Sequence, residues 1–181
     1  MTVAGLPVRV VVCVAIWLMT ALAAQPPPNF TGVWTFVPPP AAEASKASVL
    51  RTWTGDPVTI TQDAKTITIE YVSNSRAHAA VKLICNLDGS QRTNVDLNSS
   101  PALSQERPTR AEWRGRTLAL MTTAPRVTNG EPDPVVITEV LALDSPTTMS
   151  VQIERKSKLR TDRATAMYRR KGTVDALSAG R

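Results

Sequence analysis

From Asp56 to Arg170 the chain alternates apolar and polar residues with a period of two, and short turn signals interrupt the alternation again and again. No other feature constrains the fold as much. Successive side chains of a strand point to opposite faces, so this alternation is the sequence form of a sheet with one buried face. Val58 and Ile60 alternate with Thr59 and Thr61, Gln62 to Lys65 turn the chain, and Ile67, Ile69 and Tyr71 then alternate with Thr66, Thr68 and Glu70. The β-branched content suits strands. The arrangement recurs three times. Val81, Leu83 and Cys85 lead through Asp88-Gly89, a favoured tight-turn pair, into residues 91–97. Ala111 and Trp113 pass through Arg114 to Arg116 into Leu118 and Leu120. Residues 135–143 pass through Asp144-Ser145-Pro146-Thr147 into Met149, Val151 and Ile153, and a last strand is expected near Ala164 to Arg170.

Upstream, Phe30 to Phe36 forms one more short strand between the proline-rich residues 25–29 and 37–40. Residues 41–50 are good helix formers and predict one short helix or an ordered loop over one end of the domain, too short to be stable alone. About eight to ten short strands joined mostly by hairpins predict an all-β fold. A sandwich would fit the same spacing, but sequential hairpins favour an antiparallel up-and-down β-barrel, because closure removes exposed strand edges.

The N-terminus follows another rule. Arg9 is the only charge before residue 43, and an apolar run follows it from Val10 to Ala24. Ala21-Leu22-Ala23 matches a small-residue cleavage site, so residues 1–23 are expected to be a secretory signal peptide and the protein to be exported, periplasmic or secreted. The run is shorter than the roughly 20 residues a spanning helix needs. Residues 24–29 then form a proline-rich leader, residues 30–171 the barrel domain, and residues 172–181 a loose tail. Cleavage leaves Cys85 as the one cysteine, which excludes an internal disulfide. Cys85 is a small buried strand residue or else a free thiol.

Gly32-Val33-Trp34 carries a resemblance. The first strand of lipocalins reads Gly-x-Trp, and an arginine from the last strand packs over that indole. The chain is similar in residues 30–171 to small exported lipocalin-like proteins of bacteria, which begin Phe-Thr/Ser-Gly-x-Trp and continue in hairpins. The resemblance implies that Gly32, Trp34 and Arg169, from the terminal Met167-Tyr168-Arg169-Arg170, close one end of the barrel. The Thr-Asp-Tyr motif of classical lipocalins is absent: Thr161-Asp162-Arg163 lies too near the C-terminus and lacks the tyrosine. An arginine plane over an indole is a cation–π contact; the plain alternative for Trp34 is an ordinary core aromatic.

Catalytic and cofactor chemistry has little to stand on. His78 is the one histidine, without a partner at ligand spacing, which disfavours a zinc site. The chain has no His-Glu-x-x-His, no Gly-x-Ser-x-Gly and no glycine-rich phosphate loop. No cofactor is expected, and no enzymatic activity. Glu70 and Glu154 lie on the polar side of their strands, whereas Glu139 shares a face with Ile137 and Leu141 and is expected to point inward. An acid-dependent enzyme built around Glu139 is the third and weakest reading.

Two features could carry function. A barrel of about eight strands either fills with side chains or holds one small ligand. If it holds a ligand, Tyr71, Trp113, Ile69, Leu83, Leu120 and Glu139 are the candidate lining; otherwise they are a closed core. The second feature is Arg155 to Arg163, with five cations against one acid in a chain of formal charge +6. Arg155, Lys156, Lys158 and Arg160 at a barrel rim could meet an anionic envelope surface or serve as a solvated loop. No aromatics interleave with these cations, which argues against nucleic acid. The expected function is non-catalytic binding of a small hydrophobic or amphiphilic molecule. The rival is a structural or protein-interaction domain of the cell envelope with a filled core.

Overall fold

The computed structural model describes residues 26–40, 53, 55–73, 80–96 and 105–172. Ten strands form one antiparallel sheet that curls into a nearly closed barrel: β1 (Gly32–Val37), β2 (Val58–Gln62), β3 (Thr66–Val72), β4 (Ala80–Asn86), β5 (Arg92–Asp96), β6 (Gln105–Arg114), β7 (Thr117–Ala124), β10 (Val135–Ser145), β11 (Thr148–Lys156) and β12 (Thr161–Arg170). Between β7 and β10 lies a ribbon of two short strands, β8 (Val127–Thr128) and β9 (Glu131–Pro132). The spatial order β4-β3-β2-β1-β12-β11-β10-β7-β6-β5 is up-and-down, with the last strand returning beside the first. β8 and β9 are not expected from the sequence pattern. The signal segment, the helix expected at 41–50 and His78 lie outside the described residues.

The alternation does what the pattern demands. Ile60, Ile67, Ile69, Leu118, Leu120, Met149, Val151 and Ile153 all turn into the barrel and are buried. Each fully buried side chain of this kind contributes about 1.5–3 kcal/mol over leaving it in water. The polar positions between them face outward, where Glu70 pairs with Lys82 at 2.9 Å and Glu154 with Arg163 at 2.7 Å.

The ladder lacks one seam, between β4 and β5, the two ends of the strand order. A side chain closes it. Asn94 on β5 accepts from the Ile84 backbone N–H at 2.8 Å and returns its amide to the Ile84 carbonyl at 3.0 Å. The carboxamide thus imitates one residue of strand backbone, and both polar groups of Ile84 are satisfied at the open edge.

Gly55 brings the segment before β2 against β3. A Cβ there would lie 2.2 Å from the Val72 carbonyl oxygen, so only glycine permits this approach. The contact seats Trp53, which is 1% exposed, against Tyr168 with ring centroids 5.5 Å apart.

Candidate functional site

The strand registers give the barrel two unlike ends. The turns after β2, β4, β6 and β10 are tight and gather at one end. The ends of β1, β3, β5, β7 and β11 gather at the other, which we call the mouth, with residues 125–134 and 157–160.

Aromatic packing plugs the tight-turn end. Trp34 is fully buried, and its indole N–H donates to the Phe30 carbonyl at 2.9 Å. Phe30 stacks on Trp113 at 6.2 Å. The Gln62 side chain ties down the leader, accepting from the Phe30 N–H at 3.0 Å and donating to the Pro28 carbonyl at 3.1 Å. The arginine over Trp34 is Arg170, with its guanidinium carbon 4.7 Å from the ring centroid. This corrects the assignment to Arg169, and the pleat supplies the reason. Tyr168 is buried and inward, so Arg170 is inward too, while Arg169 points out and is exposed. Gly32 makes room for it, since a Cβ there would sit 3.0 Å from Arg170 Nε.

The mouth holds the polar groups of the interior. Glu139 on β10 is 2% exposed, and it faces a small cavity with Tyr71, Leu83, Asn94, Arg107, Thr122 and Trp53. Tyr71, Arg107 and Glu139 are all engaged with partners. Thr122 and Thr109 share a buried hydroxyl hydrogen bond of 3.2 Å. Trp53 Nε1–H is buried and finds no acceptor among the described residues. Buried donors are nearly always paired, which makes this indole a candidate ligand contact. The cavity measures about 30 Å³, room for one or two waters.

On the other side of β10 the rim opens into a cleft of about 480 Å³, lined by Arg126, Thr128, Val135, Arg155, Ser157, Leu159, Arg160 and Asp162. Val135, Arg155 and Asp162 occupy inward register positions, so the cleft continues the barrel interior. Arg155 Nε is buried without a hydrogen-bond partner among the described residues. Asp162, directly across from it, accepts from Arg160 at 2.5 Å instead. Behind the cleft, buried Asp133 takes hydrogen bonds from Arg126, from Thr128 Oγ1 at 3.0 Å and from the Lys158 N–H at 3.1 Å. These donors, Arg126 first, hold its carboxyl down to a pKa of about 2.

The six candidate lining residues therefore separate. Tyr71, Leu83 and Glu139 meet at the small cavity. Ile69 and Leu120 are wholly buried in the core, and Trp113 packs at the plugged end. Asn94, Arg107 and Thr122 were missed because a polar residue on the inner face breaks the very alternation by which that face is recognised, and Trp53 because it precedes β2, outside any alternation. Cys85 is buried, and desolvation, seconded by the Glu139 carboxylate and opposed by Arg92, pushes its thiol up to about 12. It stays a neutral, unreactive core residue at ordinary pH. Among the described residues no group of three or more His, Cys, Asp or Glu could hold a metal ion. Compared with protein-family models, with curated proteins and with solved structures, the chain matches none.

Proposed function

We propose that the chain is an exported, non-catalytic binding protein of lipocalin-like kind, which holds a small hydrophobic or amphiphilic ligand at the mouth of its barrel. One observation carries this reading: the asymmetry of the two ends. One end is sealed by Phe30, Trp34, Trp113 and Arg170. The other gathers the buried carboxylate of Glu139, the indole of Trp53, which has no acceptor among the described residues, the small cavity and the rim cleft. A mostly apolar hollow with a few convergent polar groups is the usual form of a small-molecule site. The rim cleft falls within the roughly 300–1,000 Å³ of such sites. Val135 and Leu159 offer it apolar contact, and Arg155 a donor for a polar head.

Native mass spectrometry of the protein purified from its own host, followed by solvent extraction, tests the proposal. A stoichiometric apolar or amphiphilic adduct is expected. A clean unliganded mass, with no uptake of added hydrophobic probes, would overturn it. That result would select the second reading, an interaction or structural domain of the envelope with a filled core. The small interior cavity favours that alternative, since about 30 Å³ leaves no space for a ligand deep in the barrel.

A further inference from the structure

Two segments project from the mouth side by side, and each carries a bare apolar residue among cations. Val127, 68% exposed, follows Arg126 at the start of the β8–β9 ribbon. Leu159, 79% exposed, stands between Lys158 and Arg160 in the turn from β11 to β12. A single exposed apolar residue is ordinary on any surface. Here the pair is held in place. Asp133, at the end of the ribbon, takes hydrogen bonds from Arg126 and Thr128 on its own segment and from the Lys158 N–H on the other. The Asp133 N–H closes the ribbon onto the Arg126 carbonyl at 2.8 Å. One buried carboxylate thus joins both projections, and Arg126, Thr128, Leu159 and Arg160 share the wall of one cleft.

The charge around the pair is positive. Arg126, Arg155, Lys156, Lys158 and Arg160 stand against Asp133, Asp162 and exposed Glu131. Asp133 and Asp162 are occupied by Arg126 and Arg160, and Lys156 and Lys158 make no ion pair among the described residues. Two apolar tips are far too small for a stable protein interface, which takes about 800 Å² from each partner. A bilayer asks for no shape complementarity. It accepts isolated apolar side chains into its interface and draws cations to anionic headgroups.

We propose that residues 126–133 and 156–160 form a docking surface for an anionic lipid bilayer. Val127 and Leu159 enter the headgroup region, and Arg126, Lys156, Lys158 and Arg160 lie against lipid phosphates. The inference does not require the small-ligand reading, although Arg126, Leu159 and Arg160 also line the rim cleft which that reading uses.

Vesicle flotation tests it, with the protein as its host accumulates it. One set of vesicles is phosphatidylcholine alone and a second contains roughly a third phosphatidylglycerol. Residues 10–24 are common to all variants, so comparing variants reads the tips alone. Wild type is expected to bind the anionic vesicles at least about tenfold more tightly than the neutral ones, with the difference lost in high salt. The double variant Val127→Ser, Leu159→Ser changes no charge and lies at exposed positions, so it folds as wild type does. It should lose about tenfold of the affinity for anionic vesicles. Lys158→Gln with Arg160→Gln should remove the preference for anionic lipid. Equal binding to both vesicles would overturn the proposal, as would a tip variant that binds like wild type. If the chain ignores vesicles and instead self-associates in a manner the tip substitutions abolish, the occupant is a second copy, and the bilayer is excluded.

Discussion

At the scale of single residues, the pleat decides which of two neighbouring arginines matters. Arg170 lies over Trp34, and Arg169 faces solvent. Arg170→Ala is expected to cost about 1–2 kcal/mol of stability, since the contact is shielded from water. Arg169→Ala should change stability by less than about 0.5 kcal/mol. Urea melts of the two variants check this, and equal losses would contradict it. Asp133 yields a prediction about pH. Its folded pKa of about 2 lies below the ordinary value near 3.8. Its contribution is therefore complete above the ordinary value and disappears as pH falls through the folded one. The gap in melting temperature between wild type and Asp133→Asn should be full at neutral pH, shrink below about pH 4 and close near pH 2. A gap independent of pH would mean that the carboxylate charge does not hold the ribbon.

Strands are the elements this sequence states most clearly. Every turn at the plugged end announces itself: Asp63 caps its own turn with bonds of 2.7 Å to the Lys65 and Thr66 amides, and Ser90 N–H reaches Asp88 at 2.8 Å. Such local chemistry is readable because it needs no knowledge of distant residues. At the mouth the one such signal is Asn129-Gly130, both at positive φ, which turns the chain between β8 and β9 but is not flanked by alternating strands. β8 and β9 span two residues each and show no alternation. The start of β6, Gln105 to Arg110, was not recognised either, because charges and Pro108 disguise it. The seam was also illegible. Nothing near Asn94 marks it as a substitute for backbone, since its partner Ile84 is bound only in three dimensions. Asn94→Ala would leave the N–H and C=O of Ile84 unpaired at a partly buried edge, at a cost of about 1–3 kcal/mol. Thr93→Ala, the exposed neighbour, serves as the control. If the two variants melt alike, the seam holds without the carboxamide.

At the scale of the whole molecule, the barrel has two unlike ends, one of them plugged by aromatic packing. Hydrophobic alternation was enough to place Glu139 on the inner face, and the parity of Tyr168 would have pointed to Arg170 had it been counted. The rest of the mouth comes from strands far apart in the chain: Trp53 before β2, Arg107 on β6 and Arg155 on β11. A constellation of that kind exists only after closure, so no local pattern reports it. The same distance explains why the size of the interior was unreadable, because alternation looks alike over a filled core and over a cavity. The most direct test of the one-mouth account is to titrate the protein with decanoate and follow backbone amide shifts by NMR. The account predicts saturable shifts centred on Trp53, Tyr71, Val135 and Arg155, with the plugged end around Trp34, Trp113 and Leu118 unmoved. Shifts centred on the plugged end, or none at saturating decanoate, would contradict it.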